Sequence, residues 1–286
     1  MKDEIMKKIL VAGATGYLGR YIVNELHKQG YWIRVLVRNS TKIQDLNDNI
    51  NEIFEGDITK PETLSSVCSD IDCVISTVGI TKQKDGLTYI DVDFQGNKNL
   101  LEIAMTANVK KFIYVSALNA DKLTHLKMCD AKEKFVKKLK NSGIDYCVVR
   151  PNGFFSDMAE FLKMAKKGKA ELFANGKFKM NPIHGKDLAE VCVNGIISNE
   201  DTIEVGGPEV FTHKEMVELA FKTVNKKVKI SYMPEWVRKM ILWFARNFTS
   251  SKTYGPMEFF FTVLAMDMMA TKYGSHRLAD FFKEMR

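Results

Sequence analysis

Three glycines at three-residue spacing, Gly13, Gly16 and Gly19, are residues whose type and spacing could bind a phosphate. The apolar run 9–12 comes before them and predicts a buried strand, and an amphipathic segment that predicts a helix begins at Tyr17. In this order the first glycine permits a tight turn, the second lets backbone N–H groups approach a pyrophosphate, and the third lets the helix pack closely. The N-terminus of the helix adds a partial positive charge. We therefore predict a dinucleotide site, with a glycine-rich turn that binds nothing as the alternative.

The end of the second predicted strand, 32–37, carries Arg38. In dinucleotide folds an acidic residue at this place binds the ribose 2′-hydroxyl of NAD, whereas an arginine accommodates the 2′-phosphate of NADP. Lys42 lies nearby, and no acidic residue occurs before Asp45. These residues favour NADP(H), with NAD(H) left open, and the alternative is a surface arginine at a strand end.

Strands and helices alternate through the first half of the chain, which implies right-handed crossovers and an α/β fold with a doubly wound, mostly parallel sheet. Further strands are predicted at 50–54, 72–77, 111–116 and 145–149, and helices at 61–67, 96–107 and 130–141. Beyond Gly153 the pattern loosens, and the last fifty residues are expected to be helical. We expect one integrated domain, with a core in residues 1–155 and a small, mainly helical substrate lobe plus remaining core elements in residues 156–286.

Four segments carry a resemblance to a known family: GATGYLGR at 13–20, VLVRN at 35–39, KKFIYVSALNA at 110–120 and SGIDYCVVRPNGFFSDM at 142–158. In these segments the chain resembles the atypical short-chain dehydrogenase/reductases. The resemblance is to the group that includes NmrA-like proteins, isoflavone reductase-like enzymes and divinyl-chlorophyllide vinyl reductases. It implies a Rossmann-type fold that binds NAD(P).

The resemblance also implies where each part of the cofactor lies. The pyrophosphate would contact Gly13, Thr15, Gly16, Tyr17 and Leu18, with Gly19 completing the glycine motif, and Arg38 would hold the 2′-phosphate. Asp57 and Ile58 would border the adenine, and Thr77 and Gly79 the adenosine side of the cleft. Pro151, Asn152, Gly153 and Phe154 would border the nicotinamide.

The expected catalytic residues, Ser116 and Lys132, also come from the resemblance. Enzymes of the wider superfamily place a tyrosine four residues before the lysine, on one helical face, but here Met128 takes that place. Lys132 is expected to hydrogen-bond the nicotinamide ribose, or to donate a proton if burial lowers its pKa. The isoflavone reductase-like enzymes are thought to work with a lysine and no tyrosine. The alternative is one more lysine on a basic helix.

The C-terminal helices carry an apolar set at helical spacing, and we interpret it chiefly as core. It comprises Trp236, Met240, Ile241, Trp243 and Phe244, with Arg238, Lys239 and Arg246 among them, and a second set follows at 259–268. Two alternatives remain open. The set could line a large apolar substrate pocket, or residues 236–248 could contact a membrane surface.

Composition narrows the class of protein. The chain has 286 residues and a net charge of +7, which favours an anionic ligand. The lysine cluster at 132–140 is interpreted as a solvated helix face, and no nucleic-acid partner is expected. Five cysteines without paired spacing predict reduced thiols, scattered histidines predict no metal site, and the charged N-terminus predicts a cytoplasmic protein.

Two functional hypotheses follow from different classes. The first is an NADPH-dependent oxidoreductase that reduces a bulky apolar carbonyl or activated alkene. The second, motivated by Met128, is a catalytically reduced NmrA-like dinucleotide-binding sensor or assembly factor. A sugar-nucleotide epimerase is less favoured because that chemistry normally uses the absent tyrosine. The sequence is compatible with a monomer or a dimer.

Overall fold

The computed structural model describes residues 6–81, 83 and 86–286. Its strands are β1 (Lys8–Ala12), β2 (Trp32–Val37), β3 (Glu52–Glu55), β4 (Cys73–Ser76), β5 (Lys111–Val115), β6 (Asp145–Pro151), β7 (Ala170–Phe173), β8 (Lys179–Met180), β9 (Thr202–Gly206), β10 (Phe211–Thr212), β11 (Ile230–Met233) and β12 (Thr271–Lys272). Its α-helices are α1 (Tyr17–Lys28), α2 (Asn97–Thr106), α3 (Lys127–Lys140), α4 (Phe155–Lys167), α5 (Gly185–Asn194), α6 (His213–Thr223), α7 (Glu235–Phe248), α8 (Ser251–Val263) and α9 (Leu278–Glu284).

Eight of the strands in the described residues form one parallel sheet, in the order β12-β9-β6-β5-β4-β1-β2-β3. The predicted doubly wound α/β sheet is therefore confirmed. From β1 the chain adds β2 and β3 on one side and then continues with β4 on the other side. The strand order thus reverses between β1 and β4, and open α/β sheets bind ligands at the carboxyl ends of the strands at such a point.

The strands of this sheet are apolar because helices cover both of its faces. Residues 9–12 of β1 and all of β4 are buried. Phe112 and Tyr114 on β5 pack against Phe135 of α3, with ring centroids 5.8 and 4.6 Å apart. This packing holds α3, which carries Lys132, against the strand that leads to Ser116.

The chain divides into two compact units, one of residues 1–150 and 188–203 and the other of residues 151–187 and 204–286. The first unit contains the predicted phosphate turn, Arg38, Ser116 and Lys132. The second contains the predicted nicotinamide segment 151–154 and the helices α6 to α9.

Two local predictions differ from the structure in an informative way. Pro61 begins only a short 3₁₀ turn, Pro61–Thr63, instead of the predicted helix 61–67. The last fifty residues are not all helical, since Thr271–Lys272 forms the edge strand β12 beside β9. Two residues of pairing at a sheet edge leave no pattern that local sequence reasoning can detect.

The prediction that the C-terminal aromatic set is core is wrong for the outer face of α7. Ala245 is the buried residue of this helix, whereas Trp236, Met240, Trp243 and Phe244 are exposed. Helix α7 packs on α8 through its other face, where Arg238 donates to the Phe261 carbonyl oxygen. Helical spacing shows that apolar residues share a face, but not whether that face is covered.

All five cysteines are free and buried. In the stretches that the structure describes, no helix has the length and apolar character needed to cross a bilayer.

Candidate dinucleotide and active site

The turn after β1 gives each of its three glycines a different steric environment. Gly13 has a φ of +91°, and a Cβ there would lie 2.4 Å from the Thr77 Oγ1. A Cβ on Gly19 would lie 2.1 Å from the Gly13 carbonyl oxygen. A Cβ on Gly16 would meet only that same oxygen, at 3.3 Å. Packing within the fold therefore requires glycine at positions 13 and 19. Gly16 instead leaves open space beside the backbone.

Helix α1 begins directly after this space. Gly16 is its N-cap, and no acidic side chain lies in its first turn. The N–H ends of the first helical turn carry a partial positive charge that favours an anion. Thr77 follows β4, and its backbone N–H donates to the Ala12 carbonyl oxygen at 3.0 Å. The turn thus lies at the reversal point of the sheet, and the residues present there fit a pyrophosphate.

Arg38 is exposed at the end of β2. In the described part of the chain no carboxylate forms an ion pair with it. The acidic groups nearby along the chain are engaged elsewhere: Asp45 binds Arg20, and the Glu55 carboxylate accepts from the Ser40 N–H at 2.8 Å. These hydrogen bonds lower the pKa of both carboxyl groups. Arg38 therefore offers a guanidinium with no internal counter-ion.

Asp57 and Ile58, the predicted adenine neighbours, have local structural roles. The Asp57 carboxylate accepts from the N–H and the hydroxyl of Thr59, at 2.9 and 2.8 Å, and so closes its own turn. Ile58 is buried, and a Cβ on Gly96 would lie 2.6 Å from the Ile58 Cδ1. Its carbonyl oxygen accepts from Asn99 at 2.8 Å. These contacts fix the loop after β3.

Lys132 is buried on α3 and forms an ion pair with Asp93, with 2.9 Å between Nζ and Oδ1. Asp93 is fully buried in the π-helical segment Ile90–Gly96, and its Oδ2 accepts from the Ile80 N–H at 3.1 Å. A Cβ on Gly79 would lie 2.6 Å from the Asp93 Oδ1 and 2.7 Å from the Lys132 Nζ. Gly79 therefore leaves the space that this ion pair occupies.

The surroundings of Lys132 do not lower its pKa, which was the condition for a proton-donor role. Burial acts to lower the pKa of Lys132, but the Asp93 carboxylate and Tyr114 outweigh burial and raise it above its ordinary value. The Tyr114 ring centroid lies 5.6 Å from Nζ, so the ammonium also faces an aromatic ring. Lys132 is therefore held as a cation.

Ser116 directly follows β5 and belongs to a second buried polar group. Its hydroxyl donates to the Glu133 Oε1 at 3.2 Å. Arg150 binds both oxygens of the Glu133 carboxylate, at 2.7 Å each. A hydroxyl has one proton, so Ser116 can only accept a hydrogen bond from a ligand while its proton points to Glu133.

Hydrogen bonds of the Asn152 side chain anchor the predicted nicotinamide segment within the second unit. The Asn152 amide donates to the Asn181 Oδ1 at 2.8 Å and to the Met268 carbonyl oxygen at 2.7 Å. Its Oδ1 accepts from the Gly153 N–H at 2.8 Å. Pro151 ends β6, and Phe154 comes directly before α4.

Sequence reasoning missed Asp93, Glu133 and Arg150, the partners of the two candidate catalytic residues. Glu133 follows Lys132 directly, and Arg150 lies between the predicted strand 145–149 and Pro151, so both lay in segments already singled out. Asp93 had no comparable signal, because it is brought to Lys132 by tertiary packing alone. Met128, at the place of the missing tyrosine, is buried.

The sheet and the glycine turn at its reversal point define a dinucleotide-binding protein of the Rossmann type. The family described as NAD(P)H-binding matches residues 13–199, more than half of the sequence. The chain belongs to this NAD(P)H-binding family.

Its relatives confirm the resemblance seen in the four sequence segments. The photosystem II assembly factor Ycf39 of Synechocystis is 29% identical over 248 residues, which cover 85% of this chain and 74% of that protein. The chloroplastic divinyl chlorophyllide a 8-vinyl-reductase of Arabidopsis thaliana is 26% identical over 251 residues, which cover 79% of this chain and 60% of that protein.

Solved structures share the fold over nearly the whole chain. The NADPH-dependent quinone oxidoreductase QOR2 of Escherichia coli, complexed with NADPH, superposes with a TM-score of 0.73 at 19% identity. The superposition covers 97% of this chain and 99% of that one.

Proposed function

We propose that this protein is an NADPH-dependent reductase of a bulky apolar carbonyl or activated alkene. The observation that carries the proposal is the phosphate cradle at Gly16 together with the exposed, unneutralised Arg38 at the end of β2. The first binds a pyrophosphate, and the second suits a 2′-phosphate better than a 2′-hydroxyl.

Bound NADPH would supply a hydride. The residues of the chain would bind and orient the cofactor and polarise the acceptor group of the substrate. Backbone N–H groups of the turn and of the first turn of α1 would hold the pyrophosphate. Arg38 would pair with the 2′-phosphate, and the segment Pro151, Asn152, Gly153 and Phe154 would border the nicotinamide. The hydrogen bonds of Asn152 keep that segment in one conformation, which favours orientation of a ring beside it.

Lys132 would act as a fixed positive charge and not as the acid. An ammonium whose pKa is raised gives up its proton less readily, and Asp93 holds Lys132 in that state. A fixed cation still attracts the ribose hydroxyls and stabilises negative charge on a reacting oxygen.

Ser116 would polarise the acceptor group, since its hydroxyl lies at the carboxyl end of β5. Donation to a substrate oxygen requires the hydroxyl proton to turn away from Glu133. Arg150 holds the Glu133 carboxylate in place, so that it can accept from the Ser116 hydroxyl again after the reaction. Because Lys132 keeps its proton, an ordered water would supply the proton that the reduced substrate takes up.

The substrate class rests on the relatives. The vinyl reductase acts on divinyl chlorophyllide a, according to its name, and the QOR2 enzyme acts on a quinone. Both are apolar molecules with a conjugated acceptor. We infer the same class for this chain.

The test is NADPH oxidation by the purified protein with a panel of enones, quinones, aldehydes and vinyl porphyrins. We expect turnover with at least one member, and a loss of kcat of about tenfold or more in Ser116→Ala with NADPH affinity retained. Tight NADPH binding without oxidation by any member of the panel would contradict the proposal.

A second candidate, a dinucleotide-binding assembly factor or sensor, has its own support. Met128 replaces the phenol, and both candidate catalytic side chains are hydrogen-bonded or ion-paired internally. The relative Ycf39 is named as an assembly factor. This function requires cofactor binding without turnover.

Two variants separate the candidates in the cell. An assembly factor predicts that Ser116→Ala keeps the wild-type phenotype while Arg38→Ala loses it. A reductase predicts that both lose it. Ser116→Ala is preferable to a Lys132 variant, because removing Lys132 leaves Asp93 buried without its counter-ion.

A further inference from the structure

The outer face of α7 presents large apolar side chains to solvent. Trp236 is 64% exposed, Trp243 57% and Phe248 72%, and Met240 and Phe244 are exposed beside them. Single exposed apolar residues are common on proteins, but a contiguous apolar patch marks an interaction surface. We call these five residues the α7 stripe.

The five residues form one face of the helix. Their spacing is i, i+4, i+7, i+8 and i+12, the pattern of a single helical surface. Rings pack along it, with centroids 5.0 Å apart for Trp243 and Phe244 and 5.6 Å apart for Phe244 and Phe248. The buried Ala245 and Arg238, which donates to Phe261, lie on the opposite face against α8. The stripe is therefore not needed to attach α7 to its unit.

Basic residues lie along one side of the stripe and in the segment before α7. Residues 226–248 contain six basic residues and one acidic residue, Glu235, in a chain whose net charge is +7. Lys239 and Arg246 are seven residues apart and so lie on one flank of α7, each within one helical turn of Trp243. Lys239 is exposed, and the Arg246 side chain remains more than half exposed while it binds Glu258.

We propose that α7 binds the surface of an anionic lipid bilayer, with the α7 stripe at the boundary of head groups and acyl chains and its basic flank at the lipid phosphates. A helix with an aromatic face and neighbouring cations has the chemistry of an interfacial anchor, and tryptophan favours that boundary. A second copy of this chain fits less well, because pairing two stripes would bring two flanks that each carry Lys239 and Arg246 close together. This proposal does not depend on the reductase activity.

The test is flotation of the full chain with phosphatidylcholine vesicles that contain phosphatidylglycerol, and with pure phosphatidylcholine vesicles. We expect binding to the mixed vesicles that weakens by about tenfold or more on pure phosphatidylcholine or in high salt. A blue shift of tryptophan emission should accompany binding and persist in a Trp32→Phe background, which leaves only the two tryptophans of α7.

Matched variants locate the contact. Trp243→Ser with Phe248→Ser should weaken vesicle binding by about tenfold or more, while Ile197→Ser, which removes a side chain that is 70% exposed elsewhere, should not. Lys239→Glu should weaken binding to the anionic vesicles, while Lys138→Glu, with the same charge change on α3, should have a smaller effect.

Three results of the vesicle experiments would overturn the proposal. They are an absence of vesicle binding, binding unchanged in the Trp243→Ser and Phe248→Ser double variant, and equal binding with or without anionic lipid. Light scattering gives a further check, since a wild-type dimer that becomes monomeric in the double variant would assign the stripe to a second copy. Thermal unfolding and NADPH binding of each variant identify any variant that has simply lost its fold.

Discussion

The Lys132 Nζ lies 2.9 Å from the Asp93 Oδ1, and both side chains are buried. Gly79, three residues after β4, has no side chain where these two atoms lie. The relationship changes the expected chemistry of Lys132, because a carboxylate at this distance holds the ammonium charged. The residue that the family resemblance predicts to be catalytic is at the same time part of the core.

Replacing Lys132 should therefore destabilise the fold. In Lys132→Met the Asp93 carboxylate remains buried without a counter-ion, and we expect the free energy of unfolding to fall by about 3–5 kcal/mol. Urea unfolding at neutral pH measures this change. Adding Asp93→Asn should recover part of the loss, because the amide oxygen still accepts from the Ile80 N–H.

Lys134→Met is the matched control on the same helix. Lys134 is exposed and pairs with Asp130 one turn away, and such a surface pair contributes less than about 1 kcal/mol. Equal losses of unfolding free energy in the Lys132 and Lys134 variants would show that the buried ion pair stabilises the fold no more than an exposed one.

The glycines of the turn should separate folding from binding. Gly19→Ala places a methyl group 2.1 Å from the Gly13 carbonyl oxygen, and we expect it to cost about 2–3 kcal/mol or more of unfolding free energy. Gly16→Ala should cost less than about 1 kcal/mol but weaken NADPH binding by about tenfold or more, because its methyl group enters the phosphate cradle.

Thermal unfolding and titration calorimetry on the two variants measure both effects. A Gly16→Ala variant that binds NADPH like the wild type, or a Gly19→Ala variant with wild-type stability, would contradict this separation of binding from folding.

His213 should make stability depend on pH. It is buried at the start of α6 and stacked on Phe161, and burial, opposed by Asp267, lowers its pKa to about 4. Between pH 6.5 and 4 the unfolded chain binds a proton at this side chain and the folded chain does not. The free energy of unfolding therefore falls as the pH drops through this range, by roughly 2 kcal/mol between pH 7 and pH 5 from this residue.

His213→Gln should reduce the loss of stability between pH 7 and pH 5 by that amount, as measured by urea unfolding at the two pH values. His27→Gln, at an exposed residue of α1, is the control and should leave the loss unchanged. An undiminished loss in His213→Gln would show that His213 does not remain neutral in the folded protein.

Local sequence was sufficient for the elements whose signal is local. The phosphate turn and the buried parallel strands follow from residues close together in the chain. So does the capping box at the start of α6, because a threonine followed three residues later by a glutamate, here Thr212 and Glu215, is its sequence signature. In that box the Thr212 hydroxyl accepts from the Glu215 N–H at 3.1 Å, and the Glu215 carboxylate accepts from the Thr212 N–H at 2.7 Å.

Features set by tertiary packing were not predictable in this way. Asp93 contacts Lys132 only because the π-helical segment packs on α3, and β12 forms only because β9 offers an open edge. The spacing of the α7 stripe correctly predicted that its residues share one helical face. Whether that face is exposed depends on which side of α7 packs on α8. These are the parts of the site and the surface where sequence patterns carry least information.

The most direct test of the central claim, that an NADPH site lies at Gly16 and Arg38, is calorimetric titration of the protein with NADPH and NADH. We predict that NADPH binds more tightly than NADH. Arg38→Ala should weaken NADPH binding by about tenfold or more and leave NADH binding unchanged, since only the 2′-phosphate loses a partner. Lys42→Ala removes a neighbouring positive charge, four residues after Arg38. It is the matched control and should weaken NADPH binding less. Equal affinity for NADPH and NADH in the wild type would remove the role of Arg38, and binding of neither dinucleotide would contradict the account as a whole.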